Sequence, residues 1–120
     1  MIRTLQEVRS FETTQGTVEI PLYDILWAEE IPEGAQLFTR LHLADRTVTC
    51  GKSIDELLTT SGGAFLFCLL NGAVNQLRIR SFEEDKIILD TGETIAISPF
   101  LSEGFRRKYC DNLARLVWED

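Results

Sequence analysis

Residues 36–43 alternate, with Leu37, Thr39, Leu41 and Leu43 on one side and Phe38, Arg40 and His42 on the other. A period of two is the signature of a strand with one face buried. The turn Ala44-Asp45 leads into the short run 46–50, which completes a hairpin. Upstream, residues 3–11 and 17–22 predict two more strands, joined through Thr13-Thr14-Gln15-Gly16, where the glycine supplies positive φ. Residues 25–29 form a short apolar strand, and Pro32, Glu33 and Gly34 mark the turn after it.

Ser53-Ile54-Asp55-Glu56 is a capping box and predicts a short helix over 54–60, ended by Ser61-Gly62-Gly63. Residues 64–70 are short and apolar, a buried strand or the start of a packed turn. Residues 78–82, 86–89 and 93–97 predict three further strands, with tight connections at Glu84-Asp85 and Thr91-Gly92. Ser98-Pro99 reads as the cap and first position of a final helix. Its Leu101, Phe105, Tyr109, Leu113 and Leu116 or Val117 make one apolar stripe, with Arg106, Arg107, Asp111 and Arg115 mostly outside it. Many short strands exclude a helical bundle, and the lack of strand–helix alternation excludes a doubly wound parallel sheet. The expected fold is mainly β and antiparallel, with a short internal helix and a C-terminal helix.

Composition narrows the function more than the fold. The chain has 120 residues with a hydrophobic share of 44%, enough for a single domain over 1–120. No apolar run approaches a membrane span, and residues 1–16 lack the apolar core of a secretory signal. The single histidine, His42, has no Cys or His at ligand spacing, and its alternating neighbours make it an exposed strand residue. Cys50, Cys68 and Cys110 are odd in number and far apart, so neither a zinc site nor a disulfide framework is expected. The thiols fit a reduced, cytoplasmic protein, and Cys68, within an apolar run, reads as a small buried hydrophobe. No nucleophile constellation and no phosphate-cradling glycine loop occurs in the sequence, so no catalytic residue, metal or cofactor is expected.

The formal charge is −7, the wrong sign for gripping a phosphate backbone by bulk electrostatics. Its distribution is uneven: residues 1–35 carry seven acids and two bases, residues 36–82 three acids and five bases. Residues 83–98 are again acidic and residues 99–120 balance, so the middle of the chain or its last helix is where an anion would be met.

Asp24-Ile25-Leu26-Trp27-Ala28-Glu29, then Gly51-Lys52-Ser53-Ile54-Asp55-Glu56-Leu57-Leu58, then Phe65, Val74-Asn75, Ile79, Gly92 and Ser98 follow one another at fixed distances. In order and spacing they resemble the LytTR family of bacterial DNA-binding domains, over residues 17–116. The resemblance implies an elongated, mostly β fold that regulates transcription by reaching loops into successive major grooves, usually in pairs on repeated sites. It also implies basic residues that are missing. Phe67, Leu69, Leu70 and Pro99 stand where the family has Arg, His, a further basic residue and Arg. A good bidentate base contact discriminates by about 1–3 kcal/mol. Losing three removes roughly 3–9 kcal/mol, against about 4–10 kcal/mol separating specific from non-specific binding.

The DNA-contact candidates that remain are Lys52, Arg78 and Arg80 around the family's recognition segment, Asn71 in its middle, and Asn75 and Ser98 at matching positions. The basic trio Arg106, Arg107 and Lys108 on the last helix completes the set. For Asn75 an amide that ties down its own turn is the competing role, for Ser98 a helix cap, and for the trio a solvated face. The partners implied are duplex DNA and a second copy or regulatory protein. The competing function is a non-catalytic interaction or dimerisation module that keeps the fold without touching DNA, signalled by joint exposure of Phe67, Leu69, Leu70 and Pro99. For a small ligand between sheets the sequence offers no polar constellation.

Overall fold

In the computed structural model, which describes residues 7–60 and 63–118, the side chains of Thr60 and of 114–118 excepted, the alternating segments form ten strands. Strands β1 (Val8–Thr13) and β2 (Gly16–Pro21) make the first hairpin. Gly16 takes φ 115° at its turn, a conformation open to glycine and costly for other residues. β3 (Trp27–Glu33), β4 (Gln36–His42), β5 (Thr47–Cys50), β6 (Phe65–Leu69) and β7 (Gly72–Asn75) form a five-stranded sheet in the order β5-β4-β3-β7-β6. β8 (Ile79–Glu83), β9 (Lys86–Leu89) and β10 (Thr94–Ala96) form a third, three-stranded sheet. Every pairing is antiparallel. Helix α1 (Ile54–Thr60) starts where its cap predicts, the Glu56 N–H donating to Ser53 Oγ at 3.2 Å. Helix α2 is Ser102–Trp118. No helix among the described residues is long and apolar enough to cross a membrane.

Several expectations shift. β3 runs on through Pro32 to Glu33 before its turn. It is hydrogen-bonded to β7 only over Trp27–Glu29, so Pro32 lies where one edge is free and no ladder donor is required. β7 is not legible as a strand in the sequence: its four residues, Gly, Ala, Val and Asn, are all buried, because it is covered on both edges and both faces. α2 begins at Ser102, three residues after Pro99. The Ser98 carbonyl instead accepts from the Leu101 N–H at 2.8 Å, and the Leu101 carbonyl starts the helix by accepting from the Phe105 N–H. The expected strand positions 3–6 and the helix stop at Ser61-Gly62 lie outside the described residues.

Two cores result. One gathers Phe11, Ile20, Leu22, Ile25, Leu41, Ile54 and Leu57 beneath the first hairpin and α1. The other gathers Leu26, Val74, Ile87, Leu89, Ile95, Ile97 and Phe105 between the two larger sheets and α2. Trp27 and His42 seam the sheets together. Their rings stack at 4.0 Å, 3° from parallel; the indole N–H donates to Glu93 Oε2 at 2.8 Å, and His42 Nε2 meets Glu29 Oε2 at 2.6 Å. His42 is therefore half-buried and engaged, not an exposed strand residue.

Cys68 and Cys50 are buried and Cys110 is exposed, all as free thiols. Burial pushes the Cys68 thiol from an ordinary 9.0 up to about 12. At pH 8 a thiol reagent is expected to modify Cys110 rapidly and Cys68 only as fast as the protein opens, read by mass spectrometry of the native protein. A raised folded-state pKa contributes stability that is full below the unfolded value and lost as pH climbs through the folded one. Cys68 thus predicts a loss of stability between pH 9 and about 12, abolished in Cys68→Ala.

Candidate nucleic-acid interface

The charged candidates divide into those used by the fold and those left to solvent. Arg78 ends a 3-10 turn, Gln76–Arg78, directly after β7. Its Nε and Nη2 donate to the Asp90 carboxylate at 2.7 and 3.0 Å, and its Nη1 donates to the Tyr23 carbonyl at 2.8 Å. The guanidinium also lies 4.4 Å from the Tyr23 ring centre. The bonds to Asp90 raise its pKa, against desolvation. This arginine clamps the three-stranded sheet to the segment before β3, and its charge is already met. Arg106 donates to the Glu84 carbonyl and covers the Phe82 ring at 5.2 Å. Lys52 stands 5.3 Å over the Phe11 ring, and its carbonyl accepts from Thr39 Oγ1. Arg80, Arg107 and Lys108 are exposed, and their side chains make no hydrogen bond or ion pair among the described residues.

The polar candidates are structural in their contacts. Asn75 is 1% exposed. Its Nδ2 donates to the Leu22 and Ile25 carbonyls at 3.3 and 3.0 Å, and its Oδ1 accepts from the Leu77 N–H at 3.1 Å. Each function of the amide is occupied inside the protein, which leaves no edge for a base. Asn71 sits in the β6–β7 turn and pins it to β3. Its Nδ2 donates to the Glu30 carbonyl at 3.2 Å, and its backbone carbonyl accepts from the Glu30 N–H at 2.7 Å. Ser98 is half-buried, with its N–H donating to the Cys68 carbonyl at 2.8 Å.

Three of the four apolar replacements, Phe67, Leu69 and Leu70, line one opening. A bulge at Cys68 breaks the register of β6 between Phe67 and Leu69. The extra residue re-aims the strand, so Phe67 packs on the first core and Leu69 on the second. Both also line a cleft of about 490 Å³ between β6 and α2, shared with Leu66, Leu101 and Phe105. At its mouth Leu70 is 77% and Phe100 88% exposed, and Pro99, next to Phe100 in the chain, is exposed as well. Sequence reasoning missed Phe100, which lies outside the helix stripe; a large aromatic directly after Pro99 was its only signal. It also missed the Trp27–His42–Glu29 cluster, whose members are neighbours only across the β3–β4 pairing. Among the described residues no group of three His, Cys, Asp or Glu side chains comes close enough to hold a metal.

No protein-family model matches the sequence, and no curated protein does. Among solved structures the chain is similar to the LytTr DNA-binding domain of a putative methyl-accepting/DNA response regulator from Bacillus cereus. The TM-score is 0.66 at 20% identity, with 86% of this chain and 96% of that one covered. The mainly β, antiparallel chain therefore has the LytTR fold, as its motif order implies.

Proposed function

We propose that this chain is a cytoplasmic, non-catalytic regulatory domain of LytTR type, one domain over 1–120, that meets duplex DNA mainly through phosphates. The likeness of its fold to a LytTr DNA-binding domain along nearly all of that domain's length carries the reading. Of the candidate cations, Arg80, Arg107 and Lys108 are available for it, since Arg78, Arg106 and Lys52 already serve the fold. With apolar side chains at the family's basic positions, base discrimination is small and electrostatic attraction supplies the affinity.

Three phosphate contacts imply a salt slope near −3, so affinity for an arbitrary duplex should fall roughly 40-fold between about 50 and 200 mM salt. Fluorescence anisotropy with a labelled duplex measures this, and the combined Arg80→Ala, Arg107→Ala and Lys108→Ala variant should flatten the slope. Absence of binding at about 50 mM salt would reject the reading.

A second reading has its own observation. The exposure of Leu70 and Phe100 at the cleft mouth supports an interaction module that pairs with itself or with a DNA-binding relative. Light scattering on the isolated chain, with and without DNA, separates the two.

A further inference from the structure

The cleft between β6 and α2 is apolar along its floor, where Leu66, Phe67, Leu69 and Phe105 meet, and among the described residues its one charged lining side chain is Lys108. Among the described residues no carboxylate lines it. On a chain of net charge −7, a cation facing an apolar cavity without an acid in its lining is a local exception. A second observation comes from Gly104, which forms part of the α2 wall. Glycine is a poor helix former, yet a Cβ built on Gly104 would meet nothing within 4 Å. Backbone geometry does not require the glycine, and packing does not require it either. What its missing side chain provides is width in the cleft.

We propose that this cleft binds a small anionic amphiphile, a single apolar tail with one acidic head group, the tail lying on β6 under the lips formed by Leu70 and Phe100 and the head group paired with Lys108. The volume falls within the range of small-molecule sites, which are mostly apolar with a few placed polar groups. One cation and one glycine-wide slot match one head group and one tail. A partner helix would call for a longer groove with anchors repeating every three or four residues. The inference does not rest on the DNA reading, because it is tested without DNA.

The probe is decanoate, below its micelle concentration, titrated into the full chain by calorimetry, with decanol and decylammonium as controls. Decanoate should bind one to one, and decylammonium at least about tenfold more weakly, the scale of a single charge-assisted hydrogen bond. Lys108→Ala should weaken decanoate by a similar factor of about ten and leave decanol unchanged. Gly104→Leu should abolish binding of both decanoate and decanol while its melting temperature stays at or above that of the parent, which shows that the variant folds. Saturable binding that survives Gly104→Leu, equal affinity for the cationic control, or no saturable decanoate binding would each overturn the proposal. Failure of DNA binding would leave these results untouched, and failure here would leave the salt titration untouched.

Discussion

Phe105→Ala is expected to destabilise the domain by about 3–5 kcal/mol, the usual range for deleting a buried aromatic ring and leaving a cavity. Phe105 is 2% exposed and is the one fully buried side chain that α2 contributes among its described residues. Its ring meets Phe82 edge-on at 6.1 Å and packs within the core of Ile87, Leu89 and Ile95. The polar ties of α2 are peripheral: Ser102 Oγ donates to Asp85 at 2.8 Å, Arg106 to the Glu84 carbonyl, and Asn112 Nδ2 to Gln76 at 3.3 Å. Hydrogen bonds of that kind contribute about 1 kcal/mol each, so they cannot hold the helix once the ring is gone. A domain of this size has only about 5–15 kcal/mol in total, so the urea midpoint should move far. Hydrogen exchange should show α2 losing protection ahead of the five-stranded sheet. A shift below about 1 kcal/mol would mean that the helix is held by something other than this ring. The same variant removes part of the cleft floor, so the ligand experiment relies on Gly104→Leu and not on Phe105.

Asn75→Ala is expected to cost about 2–4 kcal/mol, from two buried backbone groups stranded at once. The Ile25 carbonyl and the Leu77 N–H lose their amide partners. The Leu22 carbonyl fares better, because it still accepts from the Ile25 N–H at 3.2 Å. Asn75→Asp should be at least as damaging, since it replaces a donor to two carbonyls with an oxygen that repels them. Denaturation midpoints measure both, and anisotropy at low salt measures DNA affinity in the folded fraction. Full stability with lost DNA binding would show that the amide faces the duplex and that its internal bonds are dispensable.

Asn75 also shows how far the sequence reaches. The order Val74-Asn75, Ile79, Gly92 and Ser98 points to the LytTR fold, and an amide that ties down its own turn is one of the two roles the residue type suggests. That the turn it ties is anchored to Leu22 and Ile25, some fifty residues earlier, is a fact of packing. The Ser98-Pro99 signal places the start of α2 too early, because the Ser98 carbonyl closes a tight turn onto the Leu101 N–H and the first helical bond is accepted by the Leu101 carbonyl. The bulge at Cys68 has no local mark at all in its apolar run, and it alone decides that Phe67 and Leu69 serve different cores.

The linear chain therefore determined the faces, the caps and most of the turns: the alternation of 36–43, the Gly16 hairpin and the Ser53 cap depend on residues within a few positions of each other. Only the folded molecule decided which cations remain free, because Arg78 meets Asp90, and Arg106 the Glu84 carbonyl, through sheet and helix packing. It alone assembled the cleft from positions as distant as Leu58 and Lys108. Short-range order follows from dihedral and burial preferences of neighbours, whereas charge neutralisation and cavity shape depend on elements brought together from far apart in the chain.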